Sequence, residues 1–205
     1  MPPIALGDPV RATCVGVVHA SDNPDFAPGQ WVVALNALED YSAVMPGGFT
    51  LPVDAAAVAS PSNFLSAFGA VGLTAYFGLL DVAKPRAGET LLVSGAAGAV
   101  GSAVGQIGRI LGCRVVGIAG GAEKCRRLIE DYGFDAAIDY KGKDHDALVA
   151  AIAAAAPGAA DIVVENVGGP VMEAEVFNLA RHARIGLCGL ISEYNLTEKL
   201  GLRNL

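Results

Sequence analysis

The stretch Leu91-Leu92-Val93-Ser94-Gly95-Ala96-Ala97-Gly98-Ala99-Val100-Gly101 constrains the fold more than any other part of the sequence. An apolar run of strand length passes directly into glycines at three-residue spacing. A helical pattern, AVGSAVGQIGRIL, then follows without a break. Small residues at such a turn keep side chains away. The backbone N–H groups and the positive end of the helix dipole are then free to meet an anion. Strand, turn, helix and second strand in this order are the arrangement that binds the pyrophosphate of a dinucleotide. The spacing reads GxxGxxG and departs by one residue from the commoner GxGxxG, so the flanking elements carry the assignment with the glycines. Gly101, with Ser102 and Gly105 on the next turn, permits close packing of helix on strand. A tight turn without a ligand is the alternative.

The surrounding pattern extends this reading. From about Asn63 onward helix and strand alternate. A long apolar helical segment at Ser66–Val82 ends at Lys84-Pro85-Arg86-Ala87-Gly88. Strands are predicted at Thr90–Val93, Arg114–Ile118, Ala136–Ile138, Asp161–Val164 and Ala183–Leu187. Helices are predicted at Ala99–Leu111, Ala122–Tyr132, Asp144–Ala156 and Val171–Ala180. The strands are nearly continuous in apolar residues, as a parallel sheet buried on both faces requires. The fold class is therefore α/β, a doubly wound parallel Rossmann sheet. Before it, Ala12–His19, Gln30–Leu35 and Asp40–Met45 read as strands separated by turn-forming residues. Three short strands make only part of an antiparallel β domain.

Composition excludes several classes. Of 205 residues, 14 are basic and 21 acidic, for a net charge of −7. No basic cluster is visible, so no nucleic-acid partner is expected. Charged residues are only 17% of the chain, and most of it should be packed. MPPIALGDPVR lacks the features of a signal peptide, and charged or polar residues interrupt every long apolar run. No membrane association and a cytoplasmic location are therefore expected. Cys14, Cys113, Cys125 and Cys188 are far apart, with no metal-ligand spacing, and no metal is expected. Cys14, Cys113 and Cys188 lie in apolar runs and read as small buried hydrophobes.

The end of the second strand bears on the cofactor. Many NAD sites carry an acidic residue about twenty positions after the glycines, where it accepts bonds from the ribose 2′-hydroxyl. Here that place holds Ala119-Gly120-Gly121, and Lys124 follows. Absence of a carboxylate and presence of a cation suit a 2′-phosphate, which favours NADP(H). The alternative for Lys124 is a solvated surface pair with Glu123.

Several motifs in order, SGAAGAVGSAVGQIGRILGCRVVGIAGGAEKC, GFDAAIDYK, ENVGG and CGLISEYN, carry a family resemblance. The chain resembles the zinc-independent medium-chain reductases that reduce activated double bonds: prostaglandin reductases (leukotriene B4 12-hydroxydehydrogenases), plant alkenal reductases and curcumin-reductase-like proteins. The resemblance implies that residues 1–60 are part of a GroES-like catalytic β domain and that residues 61–205 are an NADP-binding Rossmann domain. It implies NADPH as cofactor and a small α,β-unsaturated carbonyl compound as substrate. Gly98, Ala99, Val100 and Gly101 would hold the pyrophosphate, and Lys124 and Tyr140 would bracket the 2′-phosphate. Asn166 would bond to the nicotinamide end. Cys188, Gly189, Leu190, Ile191, Ser192 and Tyr194 would line the nicotinamide and its ribose, with Thr74 of GLTAY nearby. Alternatives are a turn role for Asn166 and a packed or capping role for Tyr140.

The implied reaction is hydride transfer to the β-carbon of an enal or enone, followed by protonation of the enolate. Tyr194 is the candidate proton donor or oxyanion partner, a role the cofactor's ribose hydroxyl also fits. His19, His145 and His182, read in a strand, at a loop edge and at a helix end, default to solvated or capping roles. Relatives with catalytic zinc carry a cysteine where this chain has Ala70-Val71. Measured against the family, the sequence begins inside the catalytic domain and stops after GLRNL, before the last Rossmann strand and the return segment. Glu165 stands where relatives usually have Asp, and Gln30 where they often have Asp. Three readings stay open: an ene-reductase, a nucleotide-binding form without turnover, and a quinone reductase of the same superfamily. A homodimer is open as well as a monomer.

Overall fold

The computed structural model describes residues 4–44 and 48–197. The chain divides into two compact units, Met1–Val71 and Gly72–Leu205.

In the first unit, β1 (Arg11–Val17), β2 (Trp31–Ala37) and β3 (Thr50–Pro52) form an antiparallel sheet in that order. The β1–β2 hairpin runs from Val17 opposite Trp31 to Arg11 opposite Ala37. The strand expected at Asp40–Met45 does not form over Asp40–Val44, and Met45 lies outside the described residues. Local bonding wins there. The Ser42 hydroxyl donates to Glu39 at 2.5 Å, and the exposed Tyr41 ring meets His19 edge-on at 6.0 Å. The pairing place is taken by β3, which the sequence pattern had not revealed. His19 lies beyond the end of β1, not within a strand.

The second unit is built on a five-stranded parallel sheet. Its strands are β4 (Thr90–Val93), β5 (Arg114–Ala119), β6 (Ala136–Asp139), β7 (Ala160–Glu165) and β8 (Leu179–Leu187). The helices are α1 (Ala70–Phe77), α2 (Ala99–Ile110), α3 (Ala122–Glu130), α4 (His145–Ala155) and α5 (Gly169–Val176). The expected helix at Ser66–Val82 starts later, at Ala70, and widens after Phe77 into a π-helical turn, Gly78–Ala83. Lys84, in the left-handed region at φ 52°, ends it.

The spatial order β6-β5-β4-β7-β8 and parallel pairing make this the expected Rossmann arrangement. Alternate residues feed two cores. Leu91, Val93, Val115, Ile162 and Val164 face one side with Leu79, Val104 and Leu128. Leu92, Val116, Ile118 and Val163 face the other with Leu148, Ile152, Val171 and Ala174. The connections leave β4 in one direction and return to β7 on its other flank. The topological switch point, where such sheets bind ligands, therefore lies between β4 and β7.

Two expectations at the edge change. The helix expected at Val171–Ala180 stops at Val176, because the Asn178 amide donates to Ala174 O (2.9 Å) and Val149 O (3.2 Å). Leu179 and Ala180 then begin β8, and His182 sits inside that strand at φ 65°, not at a helix end. Of the cysteines expected to be buried, only Cys113 is. Cys14 is half-buried, and Cys188 is exposed beyond the edge strand.

Candidate functional site

The switch point is fastened by side chains from both flanking strands. Ser94, fully buried at the end of β4, accepts the Asn166 backbone N–H on its Oγ at 2.8 Å. The Asn166 side-chain amide donates to the Ser94 carbonyl at the same distance. Gly95 turns the chain at φ 56°, and Gly98 leads into α2.

The glycine turn is as close as its composition implies. A Cβ on Gly101 would stand 2.5 Å from Gly95 O and 2.8 Å from Ala96 Cα, both backbone atoms. No side chain caps α2, and Gly98 and Ala99 are exposed. The first-turn N–H groups of Ala99, Val100 and Gly101 thus have no partner within the helix, and its start at Gly98 and Ala99 is exposed to an anion. Close packing further along α2 comes from Gly105 and Gly108. Added Cβ atoms there would meet Phe134 Cζ at 1.9 Å and Leu91 Cδ2 at 2.4 Å. Ser102, expected to share that role, is half-buried and turns its hydroxyl back to Ala99 O.

At the end of β5, Gly121 (φ 105°) opens α3 without a side-chain cap. Lys124 is exposed there. The Glu123 pairing considered for it does not form, since Glu123 binds Arg126 at 3.0 Å. Among the described residues Lys124 has no ionic partner. The Tyr140 ring lies over Gly120, whose added Cβ would be 3.0 Å from Tyr140 Cε1 and 3.2 Å from Lys141 Cε. Two residues here escaped sequence reasoning. Lys141 adds a second cation beside Gly120. Asp139 Oδ1 accepts the N–H of Gly121 (2.8 Å) and of Lys141 (3.0 Å), and these bonds hold its carboxyl below the ordinary 3.8. Asp139, the one carboxylate bonded to this turn among the described residues, is thus engaged by backbone.

Beyond β8 the segment 188–194 docks on the turn that follows β7. The N–H groups of Cys188 and Gly189 donate to Glu165 O (2.9 and 3.1 Å), that of Ile191 to Asn166 O (3.2 Å), and that of Ser192 to Val167 O (2.9 Å). The Ser192 hydroxyl also donates to Val167 O at 2.7 Å. Buried Glu193, also missed in the sequence, accepts the Gly169 N–H at 3.0 Å, placing a carboxylate at the start of α5. Tyr194 folds back until its hydroxyl covers Gly189, where a Cβ would stand 2.6 Å away, yet the residue stays 63% exposed. Desolvation raises the Cys188 thiol above its ordinary 9.0, so it is a neutral thiol at physiological pH.

The expected residues therefore fall into three groups at the carboxyl ends of β4, β5, β6, β7 and β8: Gly98–Gly101, Lys124 with Tyr140, and Asn166 with 188–194. Leu190 and Ile191 belong to the third. Thr74 is exposed on α1 and has no hydrogen bond to any of them. Among the described residues no three His, Cys, Asp or Glu side chains cluster to hold a metal ion, and no helix is long and apolar enough to cross a membrane.

The family model described as zinc-binding dehydrogenase matches residues 99–205, and that described as N-terminal domain of oxidoreductase matches residues 1–51. The NADPH-dependent curcumin reductase of Escherichia coli (strain K12) is 44% identical over 197 residues, 96% of this chain and 56% of that protein. The 2-alkenal reductase (NADP(+)-dependent) of Nicotiana tabacum is 39% identical, over 98% of this chain and 58% of that protein. The crystal structure of CurA in complex with NADPH from Vibrio vulnificus superposes with a TM-score of 0.84 at 42% identity. That match covers 98% of this chain and 58% of CurA. The chain thus spans a little over half the length of these relatives. It belongs to the zinc-binding dehydrogenase family of medium-chain dehydrogenases and reductases.

Proposed function

We infer that the chain binds NADPH along the carboxyl edge of its parallel sheet and serves the reduction of the activated C=C bond of small enals or enones. The observation that carries this reading is the convergence on one sheet edge of an uncapped glycine-tight helix start, an unpaired lysine and the Asn166–Tyr194 assembly. The relatives' NADPH-dependent activities support it.

In this reading the N–H groups of Ala99, Val100 and Gly101 hold the pyrophosphate, and Lys124 and Tyr140 flank the 2′-phosphate. Asn166 and the 188–194 segment orient the nicotinamide end. NADPH, when bound, supplies the hydride that goes to the substrate's β-carbon. Tyr194 then protonates the α-carbon of the enolate or holds its oxygen by a hydrogen bond. Residues 1–60 belong, on this reading, to the catalytic β domain.

Titration of NADPH and NADH by fluorescence, followed by an assay of NADPH oxidation with hexenal, tests the proposal. Preferential NADPH binding with turnover supports it. Binding without turnover assigns the chain a nucleotide-binding role alone, and absence of NADPH binding refutes the site.

A further inference from the structure

Glu165 and Glu175 are both fully buried, and nothing in the hydride-transfer scheme uses either. Glu165 ends β7 and turns its carboxyl into the loop that follows. Its Oε1 accepts the Val167 N–H and, at 2.5 Å, the Gly168 N–H. Those two amides belong to the residues that directly follow Asn166 in the same turn. The neighbouring carbonyls of Glu165, Asn166 and Val167 receive the docked 188–192 segment. One carboxylate oxygen thus sets the shape of the turn on which both parts of the nicotinamide-end assembly depend.

The other side of the carboxyl is chemically incomplete. Glu165 Oε2 and both oxygens of Glu175 are buried without a donor. The two carboxyls are near enough that Glu165 acts on Glu175. Two carboxylates have no proton to place between them, and two buried like charges repel. Burial, then the nearby Glu165 carboxyl and its charge, push the Glu175 carboxyl well above the ordinary 4.5. Glu175 also lies in the last turn of α5, where the helix dipole opposes negative charge.

Among the described residues no cation relieves the pair. Besides Glu173 on α5 and Asp161 on β7, the titratable groups on the packed elements are Asp81 of the π-helical turn, His145 and Asp146 of α4, and Glu193 of the docked segment. From β8 they are Arg181, His182 and Arg184, and Arg184 is engaged by Ala83 O and Glu89. Among the described residues no ion pair reaches Glu165 or Glu175, and the charge of Glu165 acts on Glu175.

We propose that Glu165 and Glu175 share one proton, Glu175 donating to Glu165 Oε2, and that this acid pair is the positioning element that holds Asn166 and the 188–193 segment for the nicotinamide end. The role rests on the NADPH reading above. Loss of the shared proton leaves two adjacent buried carboxylates. Glu165 then withdraws from the 167–168 amides, and the turn loosens.

The test has two independent readouts on the 205-residue chain. The first is the infrared carbonyl stretch of a protonated carboxylic acid at neutral pH, expected in the wild type and absent from Glu175→Gln. The second is NADPH affinity from neutral to alkaline pH. Wild-type affinity is expected to weaken by up to about tenfold per pH unit once the pair ionises. Glu175→Gln supplies an amide donor in place of the proton, so it keeps the neutral-pH affinity and loses the alkaline weakening. Glu165→Gln removes the charge from the other partner and loses the same weakening. Absence of the infrared band from the wild type overturns the shared proton. A band with unchanged pH curves in both variants overturns the positioning role. A band in a wild-type chain that binds no NADPH at any pH overturns the cofactor reading, and the positioning role with it.

Discussion

Ser94 and Asn166 exchange two hydrogen bonds, each 2.8 Å, across the point where the strand order of the parallel sheet reverses. Each residue uses one backbone and one side-chain group, so the pair fixes the separation of the β4 and β7 ends. Asn166 thus has a structural task as well as its proposed place at the nicotinamide. Ser94→Ala leaves the Asn166 backbone N–H without its acceptor in a half-buried place. A loss of about 1–3 kcal/mol is expected, read by denaturant unfolding, together with weaker NADPH binding. Unchanged stability would show that the bond adds nothing.

Lys124 is expected to distinguish the two nicotinamide cofactors. Glu123 is occupied by Arg126, so removing Lys124 breaks no ion pair of the folded chain. Lys124→Ala should therefore leave the melting temperature unchanged and raise the NADPH Kd by about tenfold, with an NADH change of about twofold or less. Parallel fluorescence titrations decide it. Equal weakening of both cofactors refutes contact with the 2′-phosphate.

The glycines of α2 allow a sharper comparison. At Gly105 a Cβ meets the ring of Phe134, a side chain in the core; at Gly101 it meets the backbone of Gly95 and Ala96. Gly105→Ala is expected to cost about 1–3 kcal/mol by overpacking while NADPH affinity is largely kept. Gly101→Ala must move the turn itself, so affinity and stability fall together. Unfolding curves paired with NADPH titrations would separate the two outcomes.

The doubly wound sheet was legible because its strands are buried on both faces, and Leu91–Val93 or Ile162–Val164 have few other uses in a chain of this kind. The glycine turn was legible because its spacing reflects a steric demand that Gly101 meets directly. What stayed hidden depends on contacts between distant segments. Asn178 stops α5 by reaching Val149, 29 residues away, and no local pattern announces that. Asp139, Lys141 and Glu193 act through backbone groups brought to them by the sheet. The Glu165–Glu175 pair was equally invisible, since two glutamates ten residues apart read as ordinary surface charge until both prove buried.

Acid should weaken the Rossmann unit through Glu89. Burial opposes the charge of this carboxylate. Bonds from the Arg184 guanidinium and the Arg86 N–H outweigh burial and hold it below its ordinary 4.5. A folded-state value below the unfolded one gives stability that is present above about pH 4.5 and lost as pH falls through the lowered value. Glu89→Gln is expected to flatten that part of the stability–pH curve and to cost about 1–2 kcal/mol at neutral pH, reduced by partial solvent screening. Denaturant melts at neutral and acidic pH measure both.

Tyr194 offers the most direct test of the proposed chemistry. Its hydroxyl lies over Gly189 at the end of β8, while most of the ring remains open to solvent. The open ring says that the side chain carries little of the fold's stability, so Tyr194→Phe should melt as the wild type does. If the hydroxyl delivers the proton or holds the enolate oxygen, kcat with an enal falls by about 100-fold or more, while the NADPH Kd is kept. The split between kcat and Kd carries the argument, because a tyrosine that merely packs on the cofactor would change Kd first. An unchanged kcat in a chain that turns over would move the proton-donor role to the cofactor's ribose hydroxyl and leave Tyr194 as a cover for Gly189.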